Sequence, residues 1–351
     1  RLYNFLFSVI IKYIFYILYN NKIEFEVHMK KYITLLLTFF ILCSLLGCTS
    51  QKKDELIQVS GVYFDTVIDL QFYADENGND LMNHCVNMCG DYEQTFSRTL
   101  ESSELYAINH RTEDTVTVSD NMAELISVGL EYYRISDGKF DITVAPLSDL
   151  WDFKSEDATV PPQKDIEAAL EKVGADQISL SGNTLTFSSD DVMIDLGALV
   201  KGFAADHIKS YLTEHGVTSG LLNLGGNVLT IGNRPDGAQW SIGIQKPFDD
   251  NEPVADVVKV TDKTVVSSGI YERYFKQDGV IYHHILDPDT GYPIQNDLWG
   301  VSIICDSSLT GDALSTTCMT LGYEKASELI NSLSDTEAEF ILTGCELKKT
   351  F

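Results

Sequence analysis

The stretch Val192-Met-Ile-Asp195-Leu-Gly197-Ala198-Leu-Val-Lys201-Gly202-Phe-Ala-Ala-Asp206 constrains this chain more than any other. A short apolar run ends on an acid, glycines follow at 197 and 202, and a helix begins near Lys201. The pattern reads as strand, turn, helix. Gly197 and Gly202 leave little side-chain bulk, so a large group could approach the backbone closely. A helix start offers unpaired N–H groups and a partial positive charge, which suit a phosphate. Lys201 adds a full charge beside that point. The glycine order is neither G-x-G-x-x-G nor a P-loop, so neither nucleotide template applies. An ordinary joint with a solvated lysine is the alternative that this stretch leaves open.

The flanking sequence alternates short strands with helices. Ser60–Ala74 alternates apolar and polar residues as a strand or hairpin. Helical spacing runs from Asn79 to Arg98, and Ser103 and Ser119 head helices reaching about 109 and 135. Residues 138–153 are apolar and aromatic, and Pro146 rules out a continuous helix there. That segment is either a loop plugging the core or a wall for a flat aromatic ligand. A helix is expected over 164–172 and strands near 177–180, 184–187 and 192–195. The Lys201 helix runs to about His215. Strands follow over 220–224, 240–245, 254–260, 264–268, 271–275, 281–286, 299–305 and 339–343, with helices over 309–322 and 323–333. Hairpins abound, so the expected fold is α+β, with mixed and largely antiparallel sheets, packed helices and two subdomains around a cleft. At 351 residues such a core can be large.

Charge narrows the partners. The formal net charge is −27, and residues 1–47 hold five basic and two acidic side chains, leaving −30 on the remainder. Such a field repels nucleic acid and anionic lipid headgroups. Met29-Lys30-Lys31 and the fourteen-residue, largely apolar run Ile33–Leu46 make a sorting signal too short to span a bilayer comfortably. It ends in Leu-Leu-Gly47-Cys48 and a polar run, which resembles a bacterial lipoprotein signal with Cys48 as the lipidated mature N-terminus. The expected organisation is therefore 1–28 an over-extended start, 29–47 the signal peptide, 48–58 a lipidated tether, and 59–351 the working domain. An extra transmembrane helix is the alternative for residues 1–28. Of seven cysteines, five remain past Cys48, an odd number at irregular spacing that argues against a disulfide framework.

Few residues suggest chemistry on their own. Asp312 and Thr316 stand four apart, so on a helix they share a face. Carboxylate and hydroxyl oxygens are hard ligands suited to Mg²⁺, which keeps water and borrows phosphate oxygens. A helix cap and a surface threonine are the plainer alternative. His283 and His284 lie side by side on an expected strand, so at most one faces a cleft. A histidine of near-neutral pKa can take a proton from a hydroxyl nucleophile.

Six segments, in order, resemble the bacterial FAD:protein FMN transferases of the ApbE family. They are Phe140-Asp-Ile-Thr-Val-Ala-Pro-Leu147, Ile194–Asp206, Asn223-Leu-Gly-Gly-Asn227, Ser268-Gly-Ile-Tyr-Glu-Arg-Tyr274, His283–Pro293 and Asp312-Ala-Leu-Ser-Thr316. The resemblance implies that FAD is bound and cleaved in the cleft. FMN passes to a threonine hydroxyl of a membrane flavoprotein subunit, AMP leaves, and the protein sits lipid-anchored on the extracytoplasmic face of the cell membrane. Carried over, Asp195, Lys201, Ile285 and Phe64 would contact FAD, and Ala145, Pro146 and Leu147 would line the flavin or adenine pocket. The Ala198 carbonyl, Asp312 and Thr316 would hold Mg²⁺, and His284 would be the base, with Asp312 catalytic as well. The family's usual Met-Gly-Thr reads Phe64-Asp65-Thr66 here. Hydrolysis of FAD to FMN and AMP, or flavin binding without chemistry, are the other outcomes the sequence leaves open.

Overall fold

Period-two alternation from Leu56 onward closes a hairpin, β1 (Glu55–Tyr63) against β2 (Thr66–Ala74), paired from Glu55↔Ala74 to Tyr63↔Thr66. The first strand thus begins inside the stretch expected as a tether. The structure, a computed structural model, describes residues 8–14, 32–38, 54–249 and 251–351. Residues 8–14 and 32–38 are short helical segments. Cys48 and most of the expected signal lie outside the described residues. Among the described residues no helix is long and apolar enough to cross a membrane.

From residue 54 the chain forms one unit. After the hairpin come α1 (Gly78–Phe96), α2 (Glu104–Asn109), β3 (Thr115–Thr117), α3 (Asp120–Ile135), α4 (Ala145–Trp151) and α5 (Gln163–Leu170). Next are β4 (Ile178–Ser181), β5 (Thr184–Phe187), α6 (Val200–Glu214), β6 (Gly220–Leu224), β7 (Asn227–Ile231), β8 (Trp240–Gln245) and β9 (Val254–Val260). The chain closes with β10 (Thr264–Gly269), β11 (Tyr274–Gln277), β12 (Val280–His283), β13 (Leu298–Cys305), α7 (Ser308–Leu321), α8 (Tyr323–Ser332), β14 (Glu337–Leu342) and β15 (Leu347–Lys349). Eight strands make one sheet in the order β1-β2-β6-β7-β10-β13-β14-β15. Every pairing within it is antiparallel. The α+β expectation holds. The main core lies where α1, α6 and α7 pack on this sheet, through fully buried side chains such as Cys85, Phe203 and Cys318 against Phe72, Leu222 and Phe340. Each such side chain contributes roughly 1.5–3 kcal/mol by leaving water. A satellite core under α4 and α5 joins Leu147, Trp151 and Ile166 to Phe275 and Tyr282 of the β11–β12 hairpin.

Several local expectations are corrected. No continuous helix runs over 138–153, as expected, but the segment is not all loop: Pro146 stands in the first turn of the short α4, where a missing N–H costs nothing. The strand expected at 192–195 is extended chain outside any ladder. A side chain replaces its missing neighbour: Asn109 Nδ2 donates to the Ile194 carbonyl and Asn109 Oδ1 accepts the Ile194 N–H, both at 2.8 Å. The Asp195 N–H then reaches the Ile142 carbonyl at 2.7 Å. The strands expected at 271–275 and 281–286 are shifted to β11 and β12, so His284 falls just past a strand end. Strands β7 and β15 were not expected; β7 hides behind the Gly225–Gly226 turn.

Asn109 is buried, so truncating it strands two enclosed backbone groups. The Asn109→Ala variant should lose about 2–4 kcal/mol of stability. Equilibrium urea unfolding measures this, and an unchanged midpoint would refute the bridging role.

Candidate active site

A cleft of about 630 Å³ opens where the β1–β2 turn, the end of α1, the chain before α6 and the face of α7 converge. Phe64, Asp195, Ala198, Lys201, His284, Ile285, Asp312 and Thr316 all line it. Residues spread over some 250 positions are thereby brought to one place. Ala145 and Leu147 are not: both are fully buried, Leu147 in the satellite core. Pro146 is not among the lining residues either. Around that tripeptide the cleft takes Val144, Ser148 and Asp149 instead, because α4 turns Ala145 and Leu147 inward.

Asp312 sits within α7, 4 % exposed. Its Oδ2 accepts the Gly202 N–H at 2.6 Å, and Lys201 Nζ stands 4.0 Å away. Burial raises the carboxyl pKa, against the opposing pull of Lys201 and the Gly202 N–H. The contact narrows one expectation. At the start of α6 the Val200 N–H closes on the Leu196 carbonyl at 3.1 Å, and Asp312 occupies the Gly202 N–H. The Lys201 ammonium stands at the same end and reaches the Gly197 carbonyl at 3.4 Å.

Asp195 does not pair with Lys201. Its Oδ1 accepts the Gly197 N–H at 2.8 Å, and its Oδ2 lies 3.2 Å from Arg98 Nε. Arg98 also pairs with Asp149. Burial opposes the guanidinium charge, yet Asp195 and Asp149 raise its pKa overall. Arg98 went unnoticed in the sequence, where a single arginine after a helix carries no signal. Arg273, Lys139, Lys154 and Glu272 line the same cleft. Burial raises the Glu272 carboxyl, with Lys201 and Arg273 working against it.

The Phe64–Asp65 turn is left-handed at both residues, φ 53° and 58°. Two-residue hairpin turns of this kind favour Asn-Gly, and a bulky side chain there is strained. The turn is pinned from outside. Glu93 accepts the Phe64 N–H at 3.0 Å, Arg273 donates to the Asp65 carbonyl at 3.4 Å, and Lys154 pairs with the Asp65 carboxylate at 2.5 Å. Gly225, at φ +60°, packs against Thr66, where a Cβ would overlap the threonine side chain.

The two histidines separate at the end of β12. His283 is buried, its Nε2 3.0 Å from the Ile294 carbonyl, and burial pushes its pKa down to about 4. His284 faces the cleft. Its Nδ1 lies 3.3 Å from the Arg273 carbonyl, an obligate acceptor, so Nδ1 carries the proton and Nε2 is a free base. Burial, reinforced by Arg273 and His283, pushes its pKa down to about 3. It is therefore neutral at any physiological pH.

This arrangement suits an anionic ligand and a hard cation together. Among the described residues no three His, Cys, Asp or Glu side chains converge as a metal cage. Ala198, Asp312 and Thr316 all line the cleft, and they offer a backbone carbonyl, a carboxylate and a hydroxyl. That sparse, hard set fits Mg²⁺, which fills its remaining positions with water and phosphate oxygens.

The ApbE family model matches residues 64–340. An FAD:protein FMN transferase of Klebsiella pneumoniae (strain 342) is 34% identical over 293 residues, covering 83% of this chain and 90% of the relative. One from Treponema pallidum (strain Nichols) is 31% identical, covering 86% and 88%. Among solved structures, the flavin transferase ApbE from Vibrio cholerae superposes with a TM-score of 0.77 at 26% identity, covering 84% of this chain and 96% of that one. The ApbE protein of Thermotoga maritima gives 0.77 at 30% identity, covering 84% and 97%.

The two neutral histidines, one buried and one half-buried, set a pH dependence. Below their ordinary value near 6.5, the unfolded chain takes up a proton on each and the folded chain does not. The unfolded state then binds more protons, so stability falls as pH drops from 6.5 towards 4. The raised carboxyls of Asp312 and Glu272 act in the opposite sense, so the comparison with variants is what counts. Thermal melts should show a slope shallower by about one proton in His283→Gln and again in His284→Gln. Equal slopes in all three proteins would contradict the neutral assignment.

Proposed function

The chain belongs to the ApbE family, and from that premise we propose that it transfers FMN from FAD to a threonine of a membrane flavoprotein subunit, with Mg²⁺ required. Its enzyme class is FAD:protein FMN transferase, the activity its curated relatives carry over most of their length. The supporting observation is the meeting of Lys201, the Asp312–Thr316 face and a neutral His284 in one cleft.

The reaction needs few tools. A threonine oxygen attacks the FMN-side phosphorus, the new P–O bond forms, the diphosphate bridge breaks, and AMP departs with the bridging oxygen. His284 Nε2, unprotonated and oriented through Nδ1, accepts the threonine proton. Lys201 neutralises charge on the diphosphate as the bond breaks. Mg²⁺, held by the Ala198 carbonyl, the Asp312 carboxylate and the Thr316 hydroxyl, would supply further charge neutralisation there. Phe64 offers an aromatic face at the mouth, and Asp195, locked by Arg98, shapes the floor before Lys201. A base of low pKa is weak in the free enzyme. A bound dianionic diphosphate beside it favours the protonated ring and strengthens it.

Purified protein incubated with FAD, Mg²⁺ and a threonine-bearing acceptor peptide should yield a peptide heavier by FMN and one AMP per transfer, read by mass spectrometry. Free FMN with AMP would make it an FAD pyrophosphatase, and intact FAD a flavin carrier. Asp312→Ala should abolish turnover, and His284→Ala should lower kcat by roughly 10²–10⁴-fold. Unchanged turnover in either would remove the assigned role.

We place the enzyme on the outer face of the cytoplasmic membrane, anchored through Cys48, on the strength of the signal pattern. Cys48→Ser should shift the protein from the membrane fraction to the soluble fraction. Equal membrane recovery of both forms would count against the anchor.

A further inference from the structure

We infer that Asp206 is a positioning residue that holds the Asp312 carboxylate in place, an inference that rests on the reading of Asp312 as the ligand-binding acid. Asp206 lies on α6, one turn beyond Gly202. Its carboxylate points at the start of α7 and accepts three hydrogen bonds there: Ser307 Oγ–H at 2.8 Å, Ser308 N–H at 2.8 Å and Leu309 N–H at 3.0 Å. Asp312 lies on α7, one turn beyond Ser308, and accepts the Gly202 N–H at the start of α6 at 2.6 Å. Each helix therefore caps the other with a carboxylate. Neither start relies on its own sequence alone. Leu199, the residue before α6, has no capping side chain. Ser307 caps α7 by accepting the Thr310 N–H while its own hydroxyl donates to Asp206.

The exchange is possible because Gly202 brings the two backbones into contact. A Cβ there would overlap the Ser308 carbonyl oxygen and the Leu309 Cα. Two pinned points fix both the slide and the rotation of α7 against α6. The rotation decides whether Asp312 and Thr316 face the cleft. The slide decides how far Asp312 stands from Lys201, which belongs to α6 itself. Below this contact the Ser308 hydroxyl bonds Asn227 and reaches Thr264, so the α7 start is also tied to β7 and β10. All three bonds that Asp206 accepts go to the α7 start, a pattern that fits control of helix register rather than a surface charge pair.

The test compares wild type with Asp206→Ala, Asp206→Asn and Asp312→Ala, each first checked for native fold by circular dichroism. Two readouts are taken. One is amide exchange across residues 199–205 in metal-free protein, followed by mass spectrometry. The other is Mn²⁺ binding with FAD present, followed by electron paramagnetic resonance. Outer partners of metal ligands are typically worth roughly 10- to 100-fold in affinity. Asp206→Ala should speed exchange at the α6 start and weaken Mn²⁺ by that factor. Asp206→Asn, which keeps one acceptor, should fall between and takes over the comparison if the alanine variant does not fold. Exchange at the wild-type rate, or Mn²⁺ affinity kept in the Asp206 variant but lost in Asp312→Ala, overturns the inference. Faster exchange in both the Asp206 and Asp312 alanine variants with Mn²⁺ affinity unmoved in either leaves the positioning role standing and removes the metal reading instead.

Discussion

Where the Gly202 N–H meets Asp312 Oδ2 at 2.6 Å, water is almost absent. A carboxylate withdrawn from water needs compensation, and here it comes from a helix N–H with the helix dipole behind it, plus a lysine 4.0 Å away. The same bond supplies the missing cap for α6. One contact thus solves two problems of unsatisfied polarity, and in doing so it ties the two helices that form the cleft floor. Asp206 repeats the arrangement in reverse.

Around that contact the electrostatics run against the composition. The chain carries 52 acidic and 25 basic residues, a field hostile to any anion. Yet Arg98, Lys139, Lys154, Lys201 and Arg273 all border the cleft. Their carboxylate partners hold them in place. Asp195 and Asp149 hold Arg98, Asp65 holds Lys154, and Asp287 and Asp289 hold Lys139. Cations held in advance need no rearrangement when charge shifts on an anion bound among them. The acidic exterior makes the cleft a local exception that other polyanions would not reach easily.

The aromatic packing beneath the cleft supports the histidine that faces it. Trp151 stacks near Tyr282 and Phe275, with centroids 5.7 and 6.3 Å away, and donates its Nε1–H to the Gly291 carbonyl at 2.8 Å. This packing seats the β11–β12 hairpin. The hairpin's base sets the Arg273 carbonyl against His284, and with it the tautomer. The segment expected as a wall does line the cleft, through Phe140, Val144 and Phe153 among others, and its buried face also seats the hairpin that holds the histidine.

By itself the sequence determined the helices, most strands, the α+β class and the ordered segments that carry the chemistry. Local spacing and capping residues decide those, and the segments bear their residue types wherever they fold. The sequence also placed Asp312 and Thr316 on one face, since four residues is about one helical turn. Only the tertiary structure decided who pairs with whom. Arg98 rather than Lys201 takes Asp195, Asn109 replaces a strand beside Ile194, Pro146 starts a helix, and Ala145 and Leu147 turn inward. It also decided which histidine faces the cleft and which is core. These outcomes depend on burial and on partners dozens to hundreds of residues distant, and no local pattern records the cost of leaving a buried polar group unpaired.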